Sequence, residues 1–286
     1  MKPAVRHFYH APTGTLSYVV SDPQSGTAAI VDPVLEFSMV SGRTGTAPAQ
    51  EIIEFVQGAA LRVEWILETH AHADHLSAAQ FLKAQLGGQI GIGRGICAVQ
   101  AHFAGVFNLK KPFATDGRQF DRLFDNGEMF RLGYVESRVI STPGHTSDSI
   151  TYLIGDAAFV GDSLFMPDFG TARCDFPGGD AGLLYDSIQT LFELPDATRL
   201  YMCHDYPPDG RPLRYEVPVA EQKADNIHVK RGSTKADFVA MRERRDATLD
   251  LPKLLLPAIQ VNIRAGNLPA EEDNHVAYLK IPLDLL

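Results

Sequence analysis

Short β-rich runs and helical spacings alternate along most of the chain. Residues 15–20 and 27–34 are rich in β-branched and aromatic side chains and flank Asp22-Pro23-Gln24-Ser25-Gly26, a pattern that predicts a hairpin. A Gly/Ser/Thr-rich loop is expected over residues 41–47. Ile52, Ile53, Phe55 and Val56 recur at helical spacing within residues 49–60. Residues 62–69 read as a strand running into His70. A helix follows over residues 76–88, closed by Gly87 and Gly88, and then a short strand over 89–93.

The stretch from Gly95 to Asn126 reads as a helix and then a loop. Strands are expected over 128–132 and 135–141, the second stopping at Pro143-Gly144-His145. A hairpin is expected over 150–154 and 157–160, leading into Gly161-Asp162. Residues 181–194 read as a helix and 199–203 as a strand running into His204. From Val217 onward the pattern changes, with helices expected over 220–229 and 235–247. The Pro-rich remainder, with Pro252, Pro257, Pro269 and Pro282, is expected to wrap the main body, because so short and proline-broken a segment buries a poor core alone. The domain reading is therefore a catalytic domain over 1–216 and an extension over 217–286 packed on it.

Composition narrows the function classes. Of 286 residues, 45% are hydrophobic and 21% charged, as in a globular protein. The charge count is 26 basic against 35 acidic residues, giving −9, so neither nucleic acid nor a membrane surface is an expected partner. No apolar run approaches a membrane span, and the first residues lack the apolar core of a secretory leader. The three cysteines, Cys97, Cys174 and Cys203, are too few and too scattered for a disulfide framework, which points to a reducing cytoplasm.

One pattern carries chemistry. His70-Ala71-His72-Ala73-Asp74-His75 sets four metal-ligand side chains between an apolar strand and a helix. Imidazole and carboxylate are the donors that iron, zinc and related ions take. His145, Asp162 and His204 follow in turn, each where a strand ends and a loop begins, the place where a rigid sheet displays a site. The smaller signals read as structural. Gly91-Ile92-Gly93-Arg94-Gly95 is a strand-end turn, since the βαβ context of a dinucleotide fingerprint is missing. Cys174 is a small buried residue. His7, His10, His102, His228 and His275 are surface or structural histidines, and Arg242-Glu243-Arg244-Arg245 is a solvated helix face.

From about Leu16 to Tyr206 these residues resemble the metallo-β-lactamase superfamily. The fold that resemblance implies is an αββα sandwich of two mixed β-sheets flanked by helices. Ile30-Val31-Asp32-Pro33-Val34, the histidine motif, Thr142-Pro143-Gly144-His145-Thr146, Arg173-Cys174-Asp175-Phe176 and His204-Asp205-Tyr206 together resemble the persulfide dioxygenase family more narrowly. Asn262-Ile263-Arg264-Ala265-Gly266 is similar to that family's C-terminal end.

The resemblance implies one Fe(II) per chain held by His70, His145 and Asp162, with a glutathione or related low-molecular-weight persulfide and O2 as substrates. It assigns catalytic parts to Asp74, His75 and His204, supporting positions behind the ligands to His72 and Tyr206, and substrate binding to Arg173. A homodimer is expected on the same ground. The spacing equally permits a glyoxalase II-like hydrolase in which two metals share Asp162. A non-catalytic metal-binding protein is the third reading, against which the intact ligand set argues. Two departures stand out: extra sequence within Gln100 to Phe120 and a longer loop from Asp162 to Arg173. Both are expected near the substrate mouth.

Overall fold

The structure, a computed structural model, describes residues 2–109 and 113–285. Its elements in chain order are β1 (Ala4–His10), β2 (Thr15–Ser21), β3 (Thr27–Val31), β4 (Val34–Ser38), β5 (Arg43–Gly45), α1 (Ala47–Gly58), β6 (Arg62–Leu67), β7 (Leu76–Ser77) and α2 (Ala79–Leu86). There follow β8 (Gln89–Gly93), α3 (Ile96–Val106), β9 (Arg122–Phe124), β10 (Met129–Leu132), β11 (Val135–Ser141), β12 (Ile150–Ile154), β13 (Ala157–Phe159) and α4 (Ala181–Phe192). The chain ends with β14 (Arg199–Tyr201), β15 (Glu216–Pro218), α5 (Val219–Asp225), α6 (Lys235–Asp246) and α7 (Leu255–Asn262).

Two six-stranded sheets form, in the orders β1-β2-β3-β6-β8-β9 and β10-β11-β12-β13-β14-β15; a small third sheet joins β5, β4 and β7. Both large sheets are mixed. β3, β6, β8 and β9 run parallel while β1 and β2 join antiparallel, and in the second sheet only β13 and β14 pair in parallel.

The period of two in the strands builds the layers. On β3, Ala29 and Val31 face the second sheet, where they meet Val139, Tyr152 and Phe159, whereas Ala28 and Ile30 face outward into a core shared with α1, α2, α3 and α7. The outer face of the second sheet, with Ala158, Val160 and Leu200, is covered by Leu184 and Ile188 of α4 and Phe238 of α6. Three buried layers between four structural ones make the expected αββα sandwich.

Several expectations needed correction. The run over 27–34 is two strands, because Asp32 takes a left-handed φ of 48° before Pro33 and turns the chain between β3 and β4. The strand expected over 62–69 stops at Leu67, and the helix expected from residue 76 begins at Ala79 after β7. β5 lies in the expected loop, and β1, β9, β15 and α7 were not foreseen. β15 crosses the expected boundary at 216/217 and completes the second sheet, while α7 buries Leu255, Ala258, Ile259 and Val261 in the first core. The extension thus supplies layers of the sandwich itself. Gln100 ties the extra segment down by bonding Gln119, Gly117 and Ile263, so its described part packs near α7; residues 110–112 lie outside the described residues.

Candidate metal centre

Four loops at one end of the sheets carry the predicted donors. The His70–His75 loop follows β6, His145 follows β11, Asp162 sits in a single 3-10 turn after β13, and His204 follows β14. Glycines permit the close approach. Gly144 has φ 136°, and a Cβ there would strike the Leu184 backbone; Gly161 has φ 52° and would meet Thr69.

Donor atoms of His70, His145 and Asp162, all buried, lie within 4.8 Å of one another. His145 Nε2 is 3.7 Å from Asp162 Oδ2. The imidazoles are oriented from behind. His145 Nδ1–H donates to the Arg173 carbonyl at 2.7 Å, which leaves Nε2 as the lone-pair nitrogen. Thr69 Oγ1 donates to Asp32 Oδ2 at 2.9 Å and so accepts from His70 Nδ1–H at 3.1 Å. His70 Nε2 and Asp162 Oδ1 are buried without a hydrogen-bond partner in the protein. Such orphaned atoms are costly unless a ligand satisfies them, and a cation suits this donor set. Burial, followed by the neighbouring histidines, pushes His70 and His72 well below the usual imidazole range, so both rings are neutral and able to ligate at neutral pH.

His72 is placed differently. Its Nε2–H donates to Asp32 Oδ1 at 2.9 Å, with Glu68 Oε2 3.7 Å away, and its Nδ1 has no partner. It shares 4.8 Å donor groupings with Asp32 and Glu68, with Asp74 and His75, and with Cys203 and His204. His204 Nε2 lies 3.3 Å from Asp74 Oδ2 and 3.4 Å from Asp162 Oδ1. Burial alone would lower His204, but Asp162 and Asp74 outweigh it and raise the ring above its ordinary value. His75 Nδ1 is 3.4 Å from Asp74 Oδ2. Tyr206 stacks on His204, with ring centroids 5.6 Å apart and planes at 11°.

Sequence reasoning gave no role to three residues that hold the histidine loop, although Asp32 and Asn262 stand in motifs that carry the resemblance. Asp32 accepts from Thr69 and His72. Asp148 Oδ2 accepts from the Ala71 amide at 2.8 Å. Asn262, at the end of α7, donates to the His72 and His75 carbonyls at 2.8 Å each. For Asn262 the available signal was its motif, Asn262-Ile263-Arg264-Ala265-Gly266; Asp148 lies in none of the motifs that carry the resemblance.

A cavity of about 260 Å³ opens beside Asp162 and His145, lined by Phe165, Phe169, Phe176, Leu249 and Pro252 among others. The longer Asp162–Arg173 loop forms part of this wall, as expected, but no described residue of the Gln100–Phe120 segment does. Arg173 is on the wall, yet its guanidinium is committed: Nε and Nη2 bind Asp175 at 2.6 Å each, and Nη1 binds the Asp250 carbonyl at 2.7 Å. That geometry ties Arg173 to its own loop, with Nε, Nη1 and Nη2 each already engaged within the protein. Cys174 is buried beside it, its thiol pushed up to about 12 by desolvation and therefore not a nucleophile at neutral pH. Among the described residues no helix is long and apolar enough to cross a membrane.

The metallo-beta-lactamase superfamily profile matches residues 10–204. A probable metallo-hydrolase of Burkholderia pseudomallei is 53% identical, covering 99% of this chain and 99% of its own. A Dictyostelium discoideum protein named glyoxylase B2 is 47% identical, covering 100% of this chain and 98% of its own. The human mitochondrial persulfide dioxygenase ETHE1 is 30% identical over 71% of this chain and 68% of its own. Among solved structures, ETHE1 from Myxococcus xanthus superposes with a TM-score of 0.73 at 29% identity, covering 92% of this chain and 100% of that one.

Proposed function

The chain belongs to the metallo-β-lactamase superfamily, and within it we propose a mononuclear non-haem Fe(II) dioxygenase that oxidises a low-molecular-weight persulfide such as glutathione persulfide. The observation that carries this reading is the grouping of His70, His145 and Asp162 without His72. Two imidazoles and one carboxylate with open positions are the donor set of non-haem iron oxygenases. Iron held there supplies the one-electron chemistry that lets triplet O2 react with a singlet sulfur compound. In the balanced reaction the persulfide, O2 and water give the thiol and sulfurous acid, ionised as sulfite. The S–S bond breaks, the thiol sulfur takes a proton, and the terminal sulfur gives four electrons to O2.

The chain's own residues set the conditions. Arg173, through its carbonyl, and Thr69 hold the two ligand imidazoles with their Nδ1–H groups turned away from the site. The phenylalanines at 165, 169 and 176 exclude water from the cavity that receives the organic part. His204 lies against Asp74 and Asp162 and is suited to hold a proton beside the donor set.

A second reading, glyoxalase II-like thioester hydrolysis over two metals, has specific support. The glyoxylase-named relative covers the whole chain, and His72 Nδ1, His75 Nε2 and both His204 nitrogens are also without a hydrogen-bond partner. Metal content separates the two. Protein purified without oxygen is expected to hold one iron per chain, and His204→Ala is expected to keep that iron while turnover falls about 10²–10⁴-fold, the usual worth of a proton-transfer group. Two metal ions in the parent, with one lost in His204→Ala, would favour the hydrolase.

A further inference from the structure

Three guanidinium groups line the cavity beside the metal centre: Arg173, Arg242 and Arg245. Arg173 is occupied by Asp175 and backbone carbonyls. Arg242 is buried, paired with Asp246 one helical turn on, and donates to the Thr171 carbonyl at 3.2 Å. The expected solvated face of α6 is thus corrected at one position of its basic run: Arg242 is interior, whereas Glu243, Arg244 and Arg245 are exposed, Arg245 at the border of the cavity. Arg245 is exposed and makes no ion pair or side-chain hydrogen bond among the described residues. Its charge reaches into the wall: His228 is held down to about 4 by burial first and then by Arg242 and Arg245.

The chain carries a net −9, so an anionic ligand approaches against the global field and needs a local cation. Arg245 is the guanidinium on this wall with donors free to supply one, and a planar guanidinium takes a carboxylate in two parallel hydrogen bonds. We propose that Arg245 is the specificity residue of this site, binding a carboxylate at the end of the thiol ligand remote from its sulfur. The Phe165, Phe169 and Phe176 wall then packs against the methylene groups that lie between that carboxylate and the sulfur. This rests on the persulfide reading for the identity of the ligand, but not for its test.

The test is calorimetric binding of glutathione and of its diethyl ester, whose carboxylates are masked, to the anaerobic iron-loaded protein. The parent is expected to bind glutathione about tenfold or more tighter than the ester, the worth of one charge-assisted contact. Arg245→Gln is expected to abolish that preference while leaving ester affinity unchanged, and Arg245→Lys to restore part of it. In turnover with glutathione persulfide, Arg245→Gln is expected to raise KM by about tenfold at unchanged kcat, the pattern of uniform binding. A parent without the preference, or an Arg245→Gln protein that keeps it, overturns the proposal. A parent that shows the preference yet consumes no oxygen with persulfide sinks the dioxygenase reading and leaves the Arg245 assignment standing.

Discussion

Asp162→Ala is expected to lose both iron and oxygen uptake. Asp162 is the anionic member of the donor set, 8% exposed, with Oδ1 lacking a hydrogen-bond partner in the protein. Its removal leaves a divalent ion facing two neutral imidazoles in a buried pocket, where an uncompensated charge is expensive. Outer partners of a metal site are each worth roughly 10–100-fold in affinity or activity. A direct ligand is expected to exceed that, so turnover should fall about a thousandfold or more and iron should not survive desalting. His145 keeps its anchor on the Arg173 carbonyl and His70 its anchor on Thr69, so the metal-free variant should retain the parent's circular dichroism. Metal analysis after desalting checks the prediction, and a variant that keeps a full equivalent of iron shows that the ligand is another residue.

The largest stability effect is expected at Asp246, far from any ligand in sequence. The Arg242 and Asp246 side chains are 2% and 5% exposed and pair within α6. Asp246 Oδ2 also accepts the Cys174 amide at 2.8 Å, on the loop whose Arg173 carbonyl orients His145. Asp246→Ala leaves a buried guanidinium without its counter-ion and an amide without its acceptor. Breaking such a pair from one side costs about 3–5 kcal/mol. At roughly 2–4 °C per kcal/mol for a chain of this size class, Tm should fall by about 6–20 °C. Replacing both partners together, Arg242→Met with Asp246→Leu, should cost much less, because no charge is stranded. A single variant that melts within about a degree of the parent would show that the pair is hydrated and that α6 does not brace the loop.

What was legible in the sequence follows from how each feature is encoded. His70, His145, Asp162 and His204 could be found because each donor-type side chain follows an apolar strand, a juxtaposition that packing alone does not produce. The central strands could be found because their β-branched runs are bounded by turn formers. Asp32 was hidden: its left-handed φ breaks a run that composition continues, and its part as acceptor for Thr69 and His72 exists only once β6 lies beside β3. α7 was hidden because Leu255, Pro257, Ala258, Ile259, Gln260 and Val261 are all buried, so no amphipathic stripe marks the helix. β9 and β15 span three residues each, too short for alternation to register. Arg242 looked solvated because a basic run usually is; only its packing under the cavity wall, with Asp246 four residues on, reverses that.

Oxygen uptake tests the central claim most directly. The anaerobically purified, iron-loaded protein is mixed with glutathione persulfide in an oxygen electrode, with sulfite assayed in parallel, and with S-lactoylglutathione under argon as the companion sample. The account predicts consumption of one O2 per sulfite formed and little thioester hydrolysis. Rapid hydrolysis of the thioester under argon, with no oxygen taken up on persulfide, would contradict it.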